Sequence, residues 1–329
     1  MFPSISSVGK AGPIGQILVG ALRGPEYNFG PMAAPPIAVP QKKGTLRRIL
    51  SDNQNRDIAK QRAPGDPVER FSLKFDTLDY ECLNASIGTE VPREIFPSRS
   101  PNIDLDMIAG EAVAGVLHTK WMRSIAAFFA SGSWVTASSA YEMTPDPKWD
   151  TSTGVPIDNI ITGRKYIRGR IHRNPNTLIL GASAYESLLT NPQILARSGT
   201  SQTNRVVTDD LLKAVFKVDE LVVCNANYVS SNQGQSTVVT APIIDKVALL
   251  AYIEQSPDPR RASPSAMHTL FWDVTMSSED ATPSLDNAFE IEPPRFNEDK
   301  KVWVYDGETN FLVKQTNASA AYLYLAVCS

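Results

Sequence analysis

A chain of 329 residues, 42% hydrophobic and 20% charged, is long enough for one large or two medium domains, and a formal net charge of -3 excludes a global basic field for nucleic acid. The three cysteines, Cys82, Cys224 and Cys328, are odd in number, far apart and without metal-ligand spacing, which argues against a disulfide framework and for a reducing compartment. The apolar patch at residues 14–22 is broken by Gly15, Gln16 and Gly20 and follows no basic leader, and the longest apolar helix candidate carries Glu111, His118, Lys120 and Arg123, so neither a signal peptide nor a membrane span is expected.

In chain order, residues 1–40 are rich in Gly and Pro, and GPMAAPPIAVP cannot sustain a helix or an inner strand, so an extended arm is expected. Residues 41–62 read as charged and irregular, with Lys42, Lys43, Arg47, Arg48, Arg56, Lys60 and Arg62 against Asp52 and Asp57. Residues 68–91 alternate better, with Phe71, Leu73, Phe75 and Leu78 separated by polar residues, as in the strands of a protruding hairpin. Few of these residues are apolar, which favours packing on a partner.

Residues 104–130 form the clearest predicted helix. Asp104 and Asp106 suit its positive end, Lys120 and Arg123 its negative end. Leu105, Ile108, Ala109, Ala112, Val116, Trp121, Ile125, Phe128 and Phe129 are expected to form its apolar face. A Ser, Thr, Gly and Pro-rich loop follows over residues 131–156, with Trp134 and Trp149 as anchors, and a helical pattern resumes over 157–173.

Residues 174–227 compose a strand, helix, helix, strand unit. Thr177 to Leu180 is a short β-branched and apolar run between Pro175 and Gly181, and Leu221 to Cys224 is a second buried strand. Between them Ser183 is the expected cap of a helix carrying Tyr185, Leu188 and Leu189, closed by Asn191-Pro192; Thr208 opens another with Leu211, Leu212, Val215 and Phe216 inward.

No chemistry-bearing cluster emerges. His118, His172 and His268 form no metal-binding pair, and no phosphate loop or nucleophile elbow occurs, so no catalytic, cofactor-binding or metal-ligating residue is expected. The best nucleic-acid candidate is the basic run Arg164, Lys165, Arg168, Arg170, His172 and Arg173, whose blander reading is a set of cations at a helix C-terminus. Between residues 273 and 308 acidic residues dominate; the blander reading of this run and of the basic 41–62 is two solvated faces, the sharper one a basic arm docking on an acidic surface of a neighbour.

The phrases PNTLILG, NPQIL, VTDDLLKAVF and VDELVVCNA, with KVALLAYIEQSPDPRRASPSAMHTLFW downstream and SPNIDLDMIAGEAV and GVPIDNIITGRKYI upstream, resemble the major capsid proteins of tailed bacteriophages with the Hong Kong 97 type fold. The likeness runs from about Ala33 to the C-terminus. It implies an α+β fold with an N-terminal arm over residues 1–50, an extended β-hairpin loop over 51–100 and a peripheral domain with a spine helix over 101–173. An axial domain would follow over 174–268, then return strands of the peripheral domain over 269–329. The implied role is non-enzymatic: hexamers and pentamers of an icosahedral shell around double-stranded DNA, formed in the bacterial cytoplasm and kept in the virion, without cofactors. Expected partners are further copies of the chain, a portal and, because the sequence starts at Met1, a separate scaffolding protein, with room for a decoration protein and non-specific contact with packaged DNA. The loops at residues 198–205 and 230–237 would line the capsomer centre. A nanocompartment or gene-transfer particle shell, or an unrelated α/β enzyme, are the alternatives.

Overall fold

The computed structural model describes residues 29–49, 57, 59, 61, 68, 70–72, 75–95, 105–134, 138–197, 207–232, 235, 237–255, 264–272 and 288–329. In chain order the first elements are a one-turn helix α1 (Gly30–Ala33) and strands β1 (Pro36–Val39), β2 (Lys43–Ile49), β3 (Phe75–Glu81) and β4 (Leu83–Pro92). Helix α2 (Leu105–Ala126), strand β5 (Glu142–Met143), helix α3 (Pro156–Ile171), strand β6 (Thr177–Gly181) and helices α4 (Ala182–Thr190), α5 (Pro192–Leu195) and α6 (Asp209–Phe216) follow. The rest are strands: β7 (Glu220–Cys224), β8 (Asn227–Val229), β9 (Thr240–Pro242), β10 (Ala248–Ala251), β11 (Met267–Trp272), β12 (Glu290–Ile291), β13 (Arg295–Asn297), β14 (Val302–Gln315) and β15 (Ala321–Tyr324).

One sheet is built around β14. Strand β4 pairs with it antiparallel from Pro92 opposite Val302 to Leu83 opposite Phe311. Phe311 is also opposite Phe271 of β11, so β4 and β11 flank β14 from its two sides. Strands β12 and β13 also pair with β14, and β1 adds to the free edge of β11 in parallel. Helix α2 crosses this sheet, burying Ala109, Val113, Ala114 and Leu117 against Ile291 and Tyr305.

That packing corrects the expected helix face. Ile108 and Val116 are 50% and 49% exposed, whereas Ala109, Val113, Leu117, Trp121 and Ile125 are buried. Two apolar rows lie side by side on this helix, each repeating every fourth residue. The sheet selects the row that continues into Trp121 and Ile125, the residues shared with the larger core. At 1.5 Å per residue the 22-residue helix is about 33 Å long, before a single 3-10 turn, Ala127–Phe129.

Two expectations for the amino-terminal region are also corrected. The end of the expected extended arm includes a helical turn and docks within its own chain, with Phe29, Ala33 and Ala34 fully buried and Pro36–Val39 forming an edge strand. Proline is compatible with both positions, because Pro31 opens a helical turn, where the missing N–H is not needed, and Pro36 opens an edge strand. Within the supposedly irregular 41–62, Lys43–Ile49 pairs antiparallel with Phe75–Glu81. Its charges hid the period-two pattern because much of this hairpin is solvated. Residues 1–28, and most of 50–74, lie outside the described residues.

The second sheet has the order β5-β15-β10-β6-β7. Every residue of β6, β10 and β15 is buried, which explains their unbroken apolar runs TLILG, ALLA and AYLY. Helix α3 covers it with Ile157, Ile160, Ile167 and Ile171, and Gly163 lets the Tyr322 and Tyr324 rings approach. The predicted strand, helix, helix, strand unit is present as β6, α4, α6 and β7, with the short α5 between. Strand β15, from the far end of the chain, completes this sheet beside β10. Ser183 does not cap α4 with its side chain; its backbone N–H donates to Asp245 Oδ1 at 3.3 Å. Thr208 does cap α6, accepting from the Leu211 N–H at 3.3 Å, and Trp134 and Trp149 are buried anchors as expected.

Candidate assembly surfaces

The β2–β3 hairpin rests on a small foot, where Tyr80 and Cys82 pack with Val39 and Leu270. Lys43 pairs with Glu81 at 3.4 Å, and Arg48 lies opposite Asp76. In the connection between the two strands, Val68 and Phe71 are 65% and 58% exposed. A two-stranded ribbon of this kind is marginal alone, and its exposed aromatic ring is a natural contact for another surface. Strand β4 has no strand partner on its outer edge among the described residues. That edge carries exposed Leu83 and Ile87 along with Glu90 and Pro92, of which the charge and the proline discourage indiscriminate pairing.

The charged surfaces are more self-sufficient than the sequence implied. Arg295 reaches Glu292 at 3.9 Å and also pairs with Asp306, Lys300 pairs with Glu90 at 2.8 Å, and Asn84 Nδ2 donates to Glu308 at 2.9 Å. Glu290, Glu298 and Asp299 are exposed. Of the expected basic residues, Lys42 lies 5.8 Å from the Trp272 ring centre, and Arg56, Lys60 and Arg62 lie outside the described residues.

The basic run on α3 is largely committed to structure. Arg164 donates to the Phe216 carbonyl at 3.4 Å. Arg170 donates to the Ala140 carbonyl and stacks 4.0 Å from the Tyr141 ring, and Arg173 donates to the Tyr252 hydroxyl at 2.7 Å. His172 is the left-handed C-cap, with φ 56°, its N–H closing on Arg168 O at 3.0 Å. Lys165 and Arg168 remain as exposed cations. A two-cation patch supports the helix-end reading over a nucleic-acid groove.

The histidines stand apart. His118 meets the Trp121 ring edge-on at 5.8 Å. His268 is buried in β11 opposite Lys314, hydrogen-bonds the backbone of Pro35, and is pushed down to about 4 by burial. No group of three or more His, Cys, Asp or Glu that could hold a metal occurs among the described residues. All three cysteines are buried and free, and burial pushes Cys82 and Cys224 up to about 11, away from thiolate chemistry. Asp106 accepts a hydrogen bond from the Tyr305 hydroxyl and so ties the start of α2 to the sheet; Asp104 lies outside the described residues. No helix among the described residues is long and apolar enough to cross a membrane.

Of the two polar loops singled out in the sequence, 198–205 lies outside the described residues, as do 233, 234 and 236 of the other, 230–237. The second falls between β8 and β9 and is flanked by Val229, Val238 and Val239, all more than half exposed, an apolar rim that its polar composition hides. Tyr228 at its base lies under Arg123, 4.3 Å from guanidinium carbon to ring centre, so this hairpin leans on the end of α2.

No protein-family model matches the chain. It is 25% identical over 164 residues to the major capsid protein of Burkholderia phage BcepMu, a stretch covering 50% of this chain and 52% of that protein. The chain thus spans about half the length of the curated relative it matches. A crystal structure of a phage-related protein from Bordetella bronchiseptica RB50 superposes with a TM-score of 0.70 at 19% identity, covering 94% of this chain and 96% of that one. The capsid of cyanophage P-SCSP1u gives a TM-score of 0.53 at 10% identity, covering 90% and 87%. With α2 laid across the β14 sheet, a hairpin projecting from it and a second sheet crossed by α3, the chain has the α+β shell fold of Hong Kong 97 type phage capsid proteins.

Proposed function

We propose that this chain is the major capsid protein of a tailed bacteriophage, a structural and non-enzymatic subunit that assembles as hexamers and pentamers of an icosahedral shell around double-stranded DNA. The observation that carries this reading is the coincidence of a shell fold over nearly the whole chain with a sequence match to a phage major capsid protein. Surfaces suited to neighbours support it: the ribbon with exposed Val68 and Phe71, the unpaired edge of β4, and the valine-rimmed β8–β9 hairpin.

In this assignment the β14 sheet with α2 forms the peripheral domain, the β10-centred sheet the axial domain, and the β2–β3 ribbon the extended loop. The virion is the final location, and assembly in the host cytoplasm with a portal and a separate scaffold belongs to the same reading. Expression of the full chain, alone and with the scaffold and portal genes of its own phage, followed by negative-stain electron microscopy, tests it. Closed shells incorporating portal are expected. Dispersed subunits under every condition would overturn the assignment, and closed shells that never accept a portal would favour a nanocompartment.

A further inference from the structure

The outward row of α2 is an apolar face that the described residues leave open. Ile108 and Val116 are about half exposed, Ala112 and Gly115 between them are exposed, and a Cβ built on Gly115 would meet nothing within 4 Å. Small residues between two larger ones form a shallow seat into which another backbone can settle. Ile108, Gly115 and Met122 recur every seventh residue, so they lie on one line along the helix, drifting by only ~20° per step.

The last position of that line is already covered, and the cover identifies the occupant. Phe29 is fully buried, and Gly30 lies so close to Met122 that a Cβ there would stand 2.5 Å from Met122 Cε. The chain therefore enters the fold at the C-terminal end of the open row, with 28 residues preceding it. Among these, Ile14, Ile17, Leu18, Ala21 and Leu22 recur at the spacing of one apolar helix face. From Leu22 to Phe29 the chain can reach up to ~24 Å. From Met122 back to Ile108 along the helix is ~21 Å.

We propose that the row Ile108, Ala112, Gly115 and Val116 is the docking seat of the chain's own residues 14–22. The seat is apolar, starts where the chain enters, and lies within reach of the same subunit, so no second copy is needed to fill it. This inference does not depend on the assignment as a capsid protein and can be tested on free subunits.

The test places cysteines in the full chain as Leu18→Cys with Val116→Cys, the three native cysteines being buried. Mild oxidation of dilute subunits should give a disulfide within one chain, seen as a faster-migrating monomer and mapped by mass spectrometry. Leu18→Cys with Glu186→Cys, an exposed position on α4, should give none. In a second measurement, Val116→Cys alone should react with a maleimide at least fivefold faster once residues 1–24 are deleted. Cross-linking only between chains, cross-linking to both positions alike, or a labelling rate unchanged by the deletion would overturn the proposal.

Discussion

Gly307 lies directly beneath Val113. A methyl group added there would stand 2.6 Å from Val113 Cγ1 and 3.2 Å from Leu117 Cδ1, so the long helix can sit on the long strand only because this position has no side chain. Gly307→Ala should lift α2 or displace Val113, at a cost of about 1–3 kcal/mol. Chemical denaturation of the isolated chain measures this, and unchanged stability would show that the contact relaxes freely.

The two rows of α2 should answer differently to substitution. Leu117→Ala removes a buried side chain from the contact with the sheet and should cost about 2–5 kcal/mol. With residues 1–24 deleted, Ile108→Asp introduces its charge at a half-exposed position and should cost less than about 1 kcal/mol in the same measurement. Equal losses would mean that both rows are packed within the subunit.

Acid should weaken the fold at His268. Burial holds its pKa down to about 4, while the Pro35 backbone bond and Glu254 oppose that shift only in part; Lys314 faces it across the strand pair. The unfolded chain takes up a proton near its ordinary value of about 6.5, so stability from this group is constant above that pH and is lost as pH falls toward 4. The loss should reach roughly 3 kcal/mol. Urea midpoints at pH 7, 5.5 and 4 should fall for the parent chain and fall less for His268→Gln; parallel declines would assign the acid sensitivity elsewhere.

Asn191 joins two segments that are distant in sequence, the loop from Trp149 to Gly154 and the start of α5. Its amide donates to the Trp149 carbonyl at 2.7 Å and lies 3.3 Å from the Gly154 carbonyl, while its oxygen accepts from the Gln193 N–H at 2.9 Å. Asn191→Ala removes the cap of α5 and leaves a buried carbonyl short of a donor. A loss of roughly 2–3 kcal/mol is expected, readable as a lower Tm. Asn191→Asp should not rescue it, since a carboxylate cannot donate to either carbonyl.

The parts of the fold legible in the sequence were those with local signals. Thr177–Gly181, Asp209–Phe216 with its Thr208 cap, and the long helix all announce themselves by apolar spacing and capping residues within a dozen positions. The parts that were not legible depend on partners far away. Nothing local in GPMAAPPIAVP reveals that Pro36–Val39 will find Thr269–Trp272, and nothing in Ser183 reveals that Asp245 will bond its N–H. The face of α2 failed for a related reason, since two equally good rows compete and the glycine that decides between them, Gly307, is nearly 200 residues downstream. Among the basic residues of α3, composition located the cluster, but only tertiary contacts showed that Arg164, Arg170 and Arg173 are spent on carbonyls and tyrosines.

Strand β14 supplies the pairing surface for four other strands, yet it is made long after β4, the first of them. Asn84 and its partner Glu308 are 224 residues apart. At bacterial elongation rates of ~5–20 residues per second, β4 waits about 10–45 s on the ribosome before the strand it needs emerges. Until then α2 has no sheet to cover. A nascent chain therefore cannot complete this fold until β14 has emerged, and every contact that needs the finished sheet is deferred by the order of synthesis itself.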